Sequence, residues 1–356
     1  MKILITGICG FVGSTLATSW LEQDPGVTIL GLDNFIRPGS EYNRDRLRKL
    51  GIKLYHGDIR MWSDFEALPG VDWVIDAAAN PSVLAGIDGD TSSRQLVEHN
   101  LIGTLNILEY CKRHRAGFVL LSSSRVYSIA ALSRLAVEVA DNAFRPAPGQ
   151  NLPAGLGVSG VSESFSTASP ISLYGSTKLA SEIMALEYGE TCGFPVWINR
   201  CGVLAGAGQF GRADQGIFSY WINAWLRKLP LTYVGFGGAG HQVRDCLHPR
   251  DMLVLIRKQV ASGSYTQNRI FNLGGGVDNA MSLSILSAWC RERFGEHRVG
   301  MQLNDRRFDI PWLVMDSTLA GEVWDWRPET SIYAVLEEIA LHAEQNPDWL
   351  ELSGLA

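Results

Sequence analysis

The sequence predicts an α/β fold, a doubly wound parallel sheet with a smaller C-terminal α/β domain, and three observations predict it. Short apolar runs recur with helical patterns between them, a glycine-rich turn joins the first run to the first helix, and the character of the chain changes after about Arg200. At 356 residues, 46% hydrophobic and 19% charged, the chain carries apolar material for one large or two ordinary domains and no bias toward disorder or fibre.

The apolar runs are Ile3 to Thr6, Thr28 to Leu32, Lys53 to His56, Trp73 to Asp76, Phe118 to Leu121 and Val196 to Asn199. They are short and largely continuous, the pattern of strands buried on both faces. Val12 to Leu21 and Leu96 to Arg113 read as helices, and strand-helix alternation over short connections implies right-handed crossovers and a parallel sheet. Between 128 and 169 the rhythm breaks at Pro146, Pro148, Pro153, Gly155, Gly157 and Gly160. We read this stretch as a long excursion over the C-terminal edge of the sheet, of the kind that is usually functional or disordered.

The expected division is therefore 1–199 for the first domain, including the 128–169 excursion and joined again by 243–275, and 200–356 for the second. In the second, Phe218, Tyr220, Trp221, Trp225, Trp312, Trp324 and Trp326 are expected as core ahead of ligand contacts, because buried aromatics dominate packing in a small domain.

A net charge of -6 leaves no broad basic surface, and the cluster Lys112-Arg113-His114-Arg115 falls where a helix should end, complementing its dipole. No nucleic-acid partner is expected. The start of the chain lacks the pattern of a signal peptide, and no run of 18 apolar residues suggests a membrane span, so a cytoplasmic protein without membrane attachment is expected. Cys9, Cys111, Cys192, Cys201, Cys246 and Cys290 lie far apart without a C-x-x-C pair, which points away from a metal site and from a disulfide scaffold.

The glycine-rich turn is Thr6-Gly7-Ile8-Cys9-Gly10-Phe11-Val12-Gly13. Glycines fall where a tight turn, close approach of a pyrophosphate and helix packing each forbid a side chain, and the helix opened by Phe11 and Val12 offers N–H groups to phosphate. Asp33, with Asn34 beside it, ends the second run 20 residues beyond Gly13, where a carboxylate accepts from ribose hydroxyls and repels a 2′-phosphate. This is a Rossmann-like cofactor end, and NAD is favoured over NADP, with Arg37 leaving NADP open.

Tyr174 and Lys178 stand four residues apart, hence on one face of a helix. The ammonium is expected to stabilise the phenolate, pulling Tyr174 down toward working pH, and to bond the nicotinamide ribose. Together with Ser122-Ser123-Ser124 at a strand end, the pair reads as a proton-relay triad. Counting from the strand selects Ser124 as the catalytic serine, whereas counting back from Val126-Tyr127 selects Ser123.

The spacing Gly7-x-x-Gly10-x-x-Gly13 with Tyr174-x-x-x-Lys178 resembles the extended short-chain dehydrogenase/reductase family, and the resemblance recurs along nearly the whole chain. It implies that Asp58-Ile59-Arg60 lies beside the adenine, that Ala77-Ala78-Ala79 turns against the pyrophosphate, and that Asn100-x-x-Gly103-Thr104-x-Asn106 belongs to the next helix, with Asn100 and Ser122 near the cofactor. It also implies a homodimer formed by the helices around Asn100 to Cys111 and Tyr174 to Tyr188. Asp76 departs from the pattern, since relatives often have His-Leu there.

Farther on, Gln209-Phe210, Asp214-Gln215-Gly216, Gln242-Val243-Arg244-Asp245, His248 and Asp251, then Asn272-x-Gly274-Gly275, Asn279, Arg306-x-x-Asp309, Asp316 and Trp326-Arg327-Pro328, resemble the CDP-paratose 2-epimerase (tyvelose epimerase) branch. This implies that Arg244 and Arg306 clamp a pyrophosphate, that Asp309 meets a ribose, and that Gln209 and Gln215 face nucleotide or sugar, with Ser123, Ser124 and Arg125 beside the sugar. Dehydratases of the family carry Asp-Glu directly after the strand-end Thr, whereas Arg125-Val126 follows Ser124 here. The expectation is an NAD-dependent nucleotide-sugar epimerase, with C2 of a CDP-sugar as the first substrate. The alternatives are another nucleotide-sugar redox reaction, and a dinucleotide-sensing protein without turnover.

Overall fold

The computed structural model describes the whole chain except residues 87–91, 213–214, 264–267, 305–307 and 355–356. Its central sheet has seven strands, which in spatial order are Lys53–His56, Thr28–Asp33, Lys2–Thr6, Trp73–Asp76, Gly117–Ser123, Val196–Cys201 and Ile270–Leu273. Numbered along the chain this is 3-2-1-4-5-6-7, the doubly wound parallel order, and it reverses direction between the first and fourth strands. All six apolar runs read from the sequence are strands of it. The burial of Ile3, Leu4 and Ile5 without exposure accounts for their unbroken apolar character.

The chain divides into two compact units. The first comprises Met1–Val126, Leu173–Cys201 and Pro249–Phe271, and Leu4, Val74, Phe118, Leu120, Val196 and Ile198 of adjacent strands lie in its core. Helix Phe11–Gln23 follows the first strand, and helix Ser172–Cys192 carries Tyr174, Lys178 and Glu182 at four-residue spacing. The helix expected over Leu96 to Arg113 is observed as Ser93–Val97 and Gly103–His114, joined by a π-helical turn over Glu98–Ile102. Such turns insert one residue into a helix and are frequent at functional sites.

The second unit comprises Tyr127–Ser172, Gly202–His248 and Asn272–Ala356. Strand Val243–Leu247 pairs parallel with Val203–Leu204 and Trp312–Leu313 and antiparallel with Ala280–Ser282. Phe218, Trp221 and Trp225 of helix Ile217–Leu226 are core, packed with Leu286 of helix Leu283–Phe294 and Val335, Leu336 and Ile339 of helix Ile332–Gln345.

The stretch 128–169 is more ordered than a loop. It contains a short helix, Ile129–Ser133, and two antiparallel ladders, Val137–Ala140 with Ala143–Pro146 and Leu156–Gly157 with Gly160–Val161. Asp141 and Asn142 both take positive φ, as a two-residue hairpin turn requires. Within the second unit, Val161 N–H donates to Val314 O at 2.8 Å and Asn272 N–H donates to Glu163 Oε1 at 2.6 Å, while Tyr127, just before the stretch, donates through Oη to Asn272 Oδ1 at 2.6 Å. Gly160 sits at φ 126°, and a Cβ there would lie 2.4 Å from Val314 O.

Candidate active site

In the first unit the turn after the first strand is closed on itself. A Cβ on Gly13 would lie 2.4 Å from Gly7 O, and one on Gly7 2.9 Å from Ala78 Cα, so the helix start packs backbone to backbone on the glycine turn, and that turn on Ala78. Gly10 precedes the helix without a side-chain cap, and no acid stands in the first turn, so the start of this helix would suit an anion. Asp33 is held at both oxygens, accepting from Cys9 N–H at 2.8 Å and from Phe35 N–H at 2.8 Å. Each oxygen keeps a lone pair suited to a ribose hydroxyl. Burial raises the Asp33 pKa, while those two N–H bonds oppose the rise.

Asn34 donates to Asp58 Oδ2 at 3.0 Å, and Arg60 Nη2 lies 2.6 Å from the same oxygen. Burial raises the Asp58 pKa, but Arg60 and Asn34 outweigh it and hold the carboxyl well below its usual range. Ile59 is buried under Gly103, where a Cβ would lie 2.5 Å from Ile59 Cδ1. Ala78 N–H is 3.3 Å from Thr6 Oγ1 and from Asp76 Oδ1, and Ala77 O lies 3.0 Å from a Cβ built on Gly7, so Ala77, Ala78 and Ala79 form the facing turn.

Asn100 lies in the π-helical turn. Its Oδ1 accepts from Asn80 N–H at 2.8 Å, and its Nδ2 donates to Asn80 O at 3.0 Å and Thr177 Oγ1 at 3.3 Å. The amide group thus ties the turn after the fourth strand to the helix of Tyr174. Ser122 also faces protein: its hydroxyl donates to Glu182, a carboxylate that Arg200 engages through Nη2 at 2.7 Å and Nε at 3.1 Å.

Tyr174 is buried, packed with Ala85 and Leu96. The serine hydrogen-bonded to it is Ser123, and this corrects the choice of Ser124. The physical reason is a tight turn over Ser124–Val126 directly after the strand: it buries Ser124, and Arg125 N–H bends back to donate to Ser123 Oγ at 3.1 Å. The expected lowering of Tyr174 by Lys178 is also corrected. Burial raises the phenol, with Ser123 and the Arg125 guanidinium pulling it down.

Lys178 is only 2% exposed, and among the described residues its ammonium makes no hydrogen bond. An ammonium with three unshared donors, beside a strand end that follows a phosphate-fitting turn and a ribose-fitting acid, suits the hydroxyls of a dinucleotide's second ribose. The residues present therefore fit NAD.

In the second unit Arg244 Nη2 pairs with Asp309 Oδ1 at 3.1 Å, its Nη1 donates to Val243 O at 2.7 Å, and Gln242 Nε2 donates to Asp309 Oδ2 at 3.2 Å. Burial lowers the Arg244 pKa, and Asp309 opposes it. Gln209 Nε2 donates to Leu204 O at 2.7 Å, and its Oε1 is buried without a partner. Gln215 exchanges backbone bonds with Arg212. Arg306 lies outside the described residues, as does Asp214.

Sequence reasoning missed Glu182 and Arg200. The available signal was Glu182 itself, a third polar residue four positions after Lys178 on the same helix face. Among the described residues no group of three or more His, Cys, Asp or Glu could hold a metal ion, and no helix is long and apolar enough to cross a membrane.

The profile of the NAD dependent epimerase/dehydratase family matches residues 3–274. CDP-paratose 2-epimerase of Salmonella typhi is 28% identical over 347 residues, covering 93% of this chain and 96% of that protein. UDP-glucuronate 4-epimerase of Thermodesulfobacterium geofontis is 26% identical, covering 96% of each. Among solved structures, UDP-glucuronic acid 4-epimerase from Bacillus cereus in complex with UDP-glucuronic acid and NAD superposes with a TM-score of 0.76 at 23% identity, covering 97% of this chain and 99% of that one. With the family's profile matched from the first strand to the end of the seventh, and with a site that fits NAD, this chain is an NAD-dependent enzyme and a member of the NAD dependent epimerase/dehydratase family.

Proposed function

We propose that the protein inverts one carbon of a nucleotide-linked sugar by oxidising it to a keto sugar and reducing that intermediate on its other face. The observation that carries this reading is the set Ser123, Tyr174 and Lys178, one helix face set against one strand end in the unit that carries the glycine turn and Asp33. NAD, when bound, supplies reversible hydride transfer. Tyr174 takes the proton of the sugar hydroxyl as hydride leaves the carbon, and gives a proton back to the same oxygen on reduction. Ser123 shares the hydrogen bond to that oxygen. Lys178 holds ribose hydroxyls with its ammonium donors, and Asp33 holds those at the adenine end.

Ser124 and Arg125 support epimerisation over elimination. They follow Ser123 where a dehydratase carries an acid pair, and the Arg125 guanidinium favours the phenolate of Tyr174 and supplies no proton to a leaving hydroxyl. In the second unit Arg244 suits pyrophosphate oxygens and Asp309 a ribose hydroxyl, with Gln209 and Gln215 toward nucleotide or sugar and Arg306 as a further cation. Similarity to CDP-paratose 2-epimerase makes C2 of a CDP-sugar the first substrate to test, and similarity to UDP-glucuronate 4-epimerase makes C4 of a UDP-sugar the second. An intact Tyr174 and Lys178 argue against a sensor without turnover.

The test incubates the protein with CDP-, UDP-, GDP- and dTDP-sugars and reads products by NMR, then repeats the productive case with sugar deuterated at the inverted carbon. Retention of the label is expected. Washout to water would indicate deprotonation beside a carbonyl, and the absence of any epimer across the panel would overturn the reading.

A further inference from the structure

In the second unit the loop between strand Val203–Leu204 and helix Ile217–Leu226 carries Gln209 and Gln215, and none of its described residues belongs to a strand or helix. Other groups must order such a backbone. Part of the ordering is internal: Arg212 N–H donates to Gln215 O at 2.6 Å, Gln215 N–H to Arg212 O at 3.1 Å, and Ser219 Oγ of the following helix to Gln209 O at 2.9 Å. The Gln209 amide is held through Nε2 on Leu204 O at 2.7 Å, which leaves Oε1 buried and in need of a donor.

The rest comes from 140 residues farther along the chain, where the short helix Trp349–Leu352 lies against the loop. Trp349 Nε1 donates to Gln209 O at 2.8 Å, taking the lone pair that Ser219 leaves. Its ring stacks on Phe210, with centroids 5.2 Å apart and planes 17° off parallel, and His342 makes a T-shaped contact with it at 4.5 Å. Just beyond, Ser353 O accepts from Arg212 Nε at 3.2 Å. One segment thus grips the loop at Gln209, Phe210 and Arg212. The segment is itself anchored: Trp349 and Leu350 are buried, Leu350 belongs to the core of this unit, and Ser353 Oγ donates to Trp349 O at 2.7 Å. Arg227, beyond the end of helix Ile217–Leu226, donates through Nε to Pro347 O at 3.0 Å and holds the turn that leads into it.

We infer that Trp349 is a positioning residue for the nucleotide sugar, and that Trp349–Ser353 is a latch holding the loop of Gln209 and Gln215 in the shape that receives the nucleotide. A loop ordered before binding spares the ligand the entropy of ordering it. Unlatched, the protein binds only through the fraction of molecules whose loop is still correctly shaped, and apparent affinity falls by that fraction. The latch acts within the second unit, whereas the glycine turn, Asp33 and Lys178 belong to the first, so NAD binding should be indifferent to it. The inference rests on the proposed reading of Gln209 and Gln215 as residues that face nucleotide or sugar.

The test titrates CDP, UDP, GDP and dTDP into the whole chain by calorimetry and follows the one that binds most tightly. Trp349→Ala removes both the bond and the stack and should weaken that diphosphate by about 10-fold or more, whereas Trp349→Phe keeps the stack and should recover part of the loss. Arg212→Met removes the second grip and should cost about 3- to 10-fold, the worth of one net hydrogen bond. NAD affinity, measured by equilibrium dialysis, should match wild type in all three. Hydrogen exchange at the Arg212 and Gln215 amides should quicken in the same order, which shows that the loop has loosened.

Diphosphate affinity at the wild-type level in Trp349→Ala and Arg212→Met, or an equal loss of diphosphate and NAD, overturns the inference. If Trp349→Ala does not fold, Trp349→Phe and Arg212→Met decide by the same criteria. The two failures are distinguishable. A wild-type protein that binds none of the four diphosphates sinks the nucleotide-sugar reading and this inference with it, whereas binding by wild type that the variants leave unchanged sinks this inference alone.

Discussion

Arg200 closes its guanidinium on Glu182 inside the first unit, with Nη2 2.7 Å from Oε2 and both side chains at most 6% exposed. The pair fastens the helix of Tyr174 and Lys178 to the sixth strand, and Ser122 joins the fifth strand to the same carboxylate. Removing one partner strands a charge in the core. Glu182→Ala should therefore cost about 3–5 kcal/mol, read by urea unfolding, while Glu182→Leu with Arg200→Met should recover most of that loss. A single variant as stable as wild type would mean that water reaches Arg200.

Ser123 and Ser124 should separate cleanly. Ser123→Ala removes a hydrogen bond to a developing phenolate and should lower kcat by roughly 10- to 100-fold, whereas Ser124→Ala should stay within a few-fold. The sign in pH follows from burial, which raises Tyr174, and Ser123, which lowers it. Without Ser123 the phenol titrates higher, so the acid limb of kcat should move to higher pH. An acid limb that moves in Ser124→Ala instead would reinstate Ser124.

Tyr174→Phe should keep fold, NAD and nucleotide-sugar binding and lose about 10² to 10⁴ in turnover. Lys178→Ala should lose activity and weaken NAD as well, because its ammonium holds the ribose. The two variants thus differ in kind, and dialysis against NAD reads the difference. Equal loss of NAD in both would show that the phenol is a cofactor ligand first.

Purified protein should carry NAD without any being added, since the reduced cofactor must stay between half-reactions; assay of the denatured supernatant checks it. Gly13→Ala should abolish this, its Cβ falling 2.4 Å from Gly7 O. Asp33→Ala should weaken NAD and narrow the preference against NADP by removing a buried acid fixed by Cys9 and Phe35 N–H. Recovery of NADP from wild type would overturn the role given to Asp33.

Exposed apolar side chains lie on the two helices expected to pair: Val97 and Ile102 on one, Leu173 and Ile183 on the other, with Ile183 54% exposed. We propose that they bury against a second copy. Sedimentation should give twice 39.1 kDa, and Ile183→Glu should shift it toward monomer. A concentration-independent monomer sinks the proposal.

Much of this was legible in the sequence because it is local. Gly7, Gly10 and Gly13 act within one turn, Asp33 ends the strand paired directly with the first, and Tyr174 and Lys178 share a helix face by spacing alone. Five of the six apolar runs declared their strands because burial on both faces leaves little polar alternation to confuse them, whereas Lys53–His56, at the sheet edge, is exposed at both ends.

What spacing could not decide was which side chains meet across long separations. Ser122 and Glu182 are 60 residues apart, and their bond exists because the fifth strand and the helix Ser172–Cys192 are brought together by the sheet. The choice between Ser123 and Ser124 depended on one tight turn, Ser124–Val126, whose backbone sets which hydroxyl faces Tyr174. The phenol's pKa went against the sequence expectation because burial, a property of the fold as a whole, outweighs the lowering that Ser123 and Arg125 supply. Asp76 looked like a simple departure until the hydroxyls of Thr6 and Thr104 closed on its carboxylate from 70 and 28 residues away. Local sequence determined the glycine turn and the helix that carries Tyr174 and Lys178; the tertiary structure alone decided the charge pairing around them, because buried electrostatics depend on neighbours that chain order does not reveal.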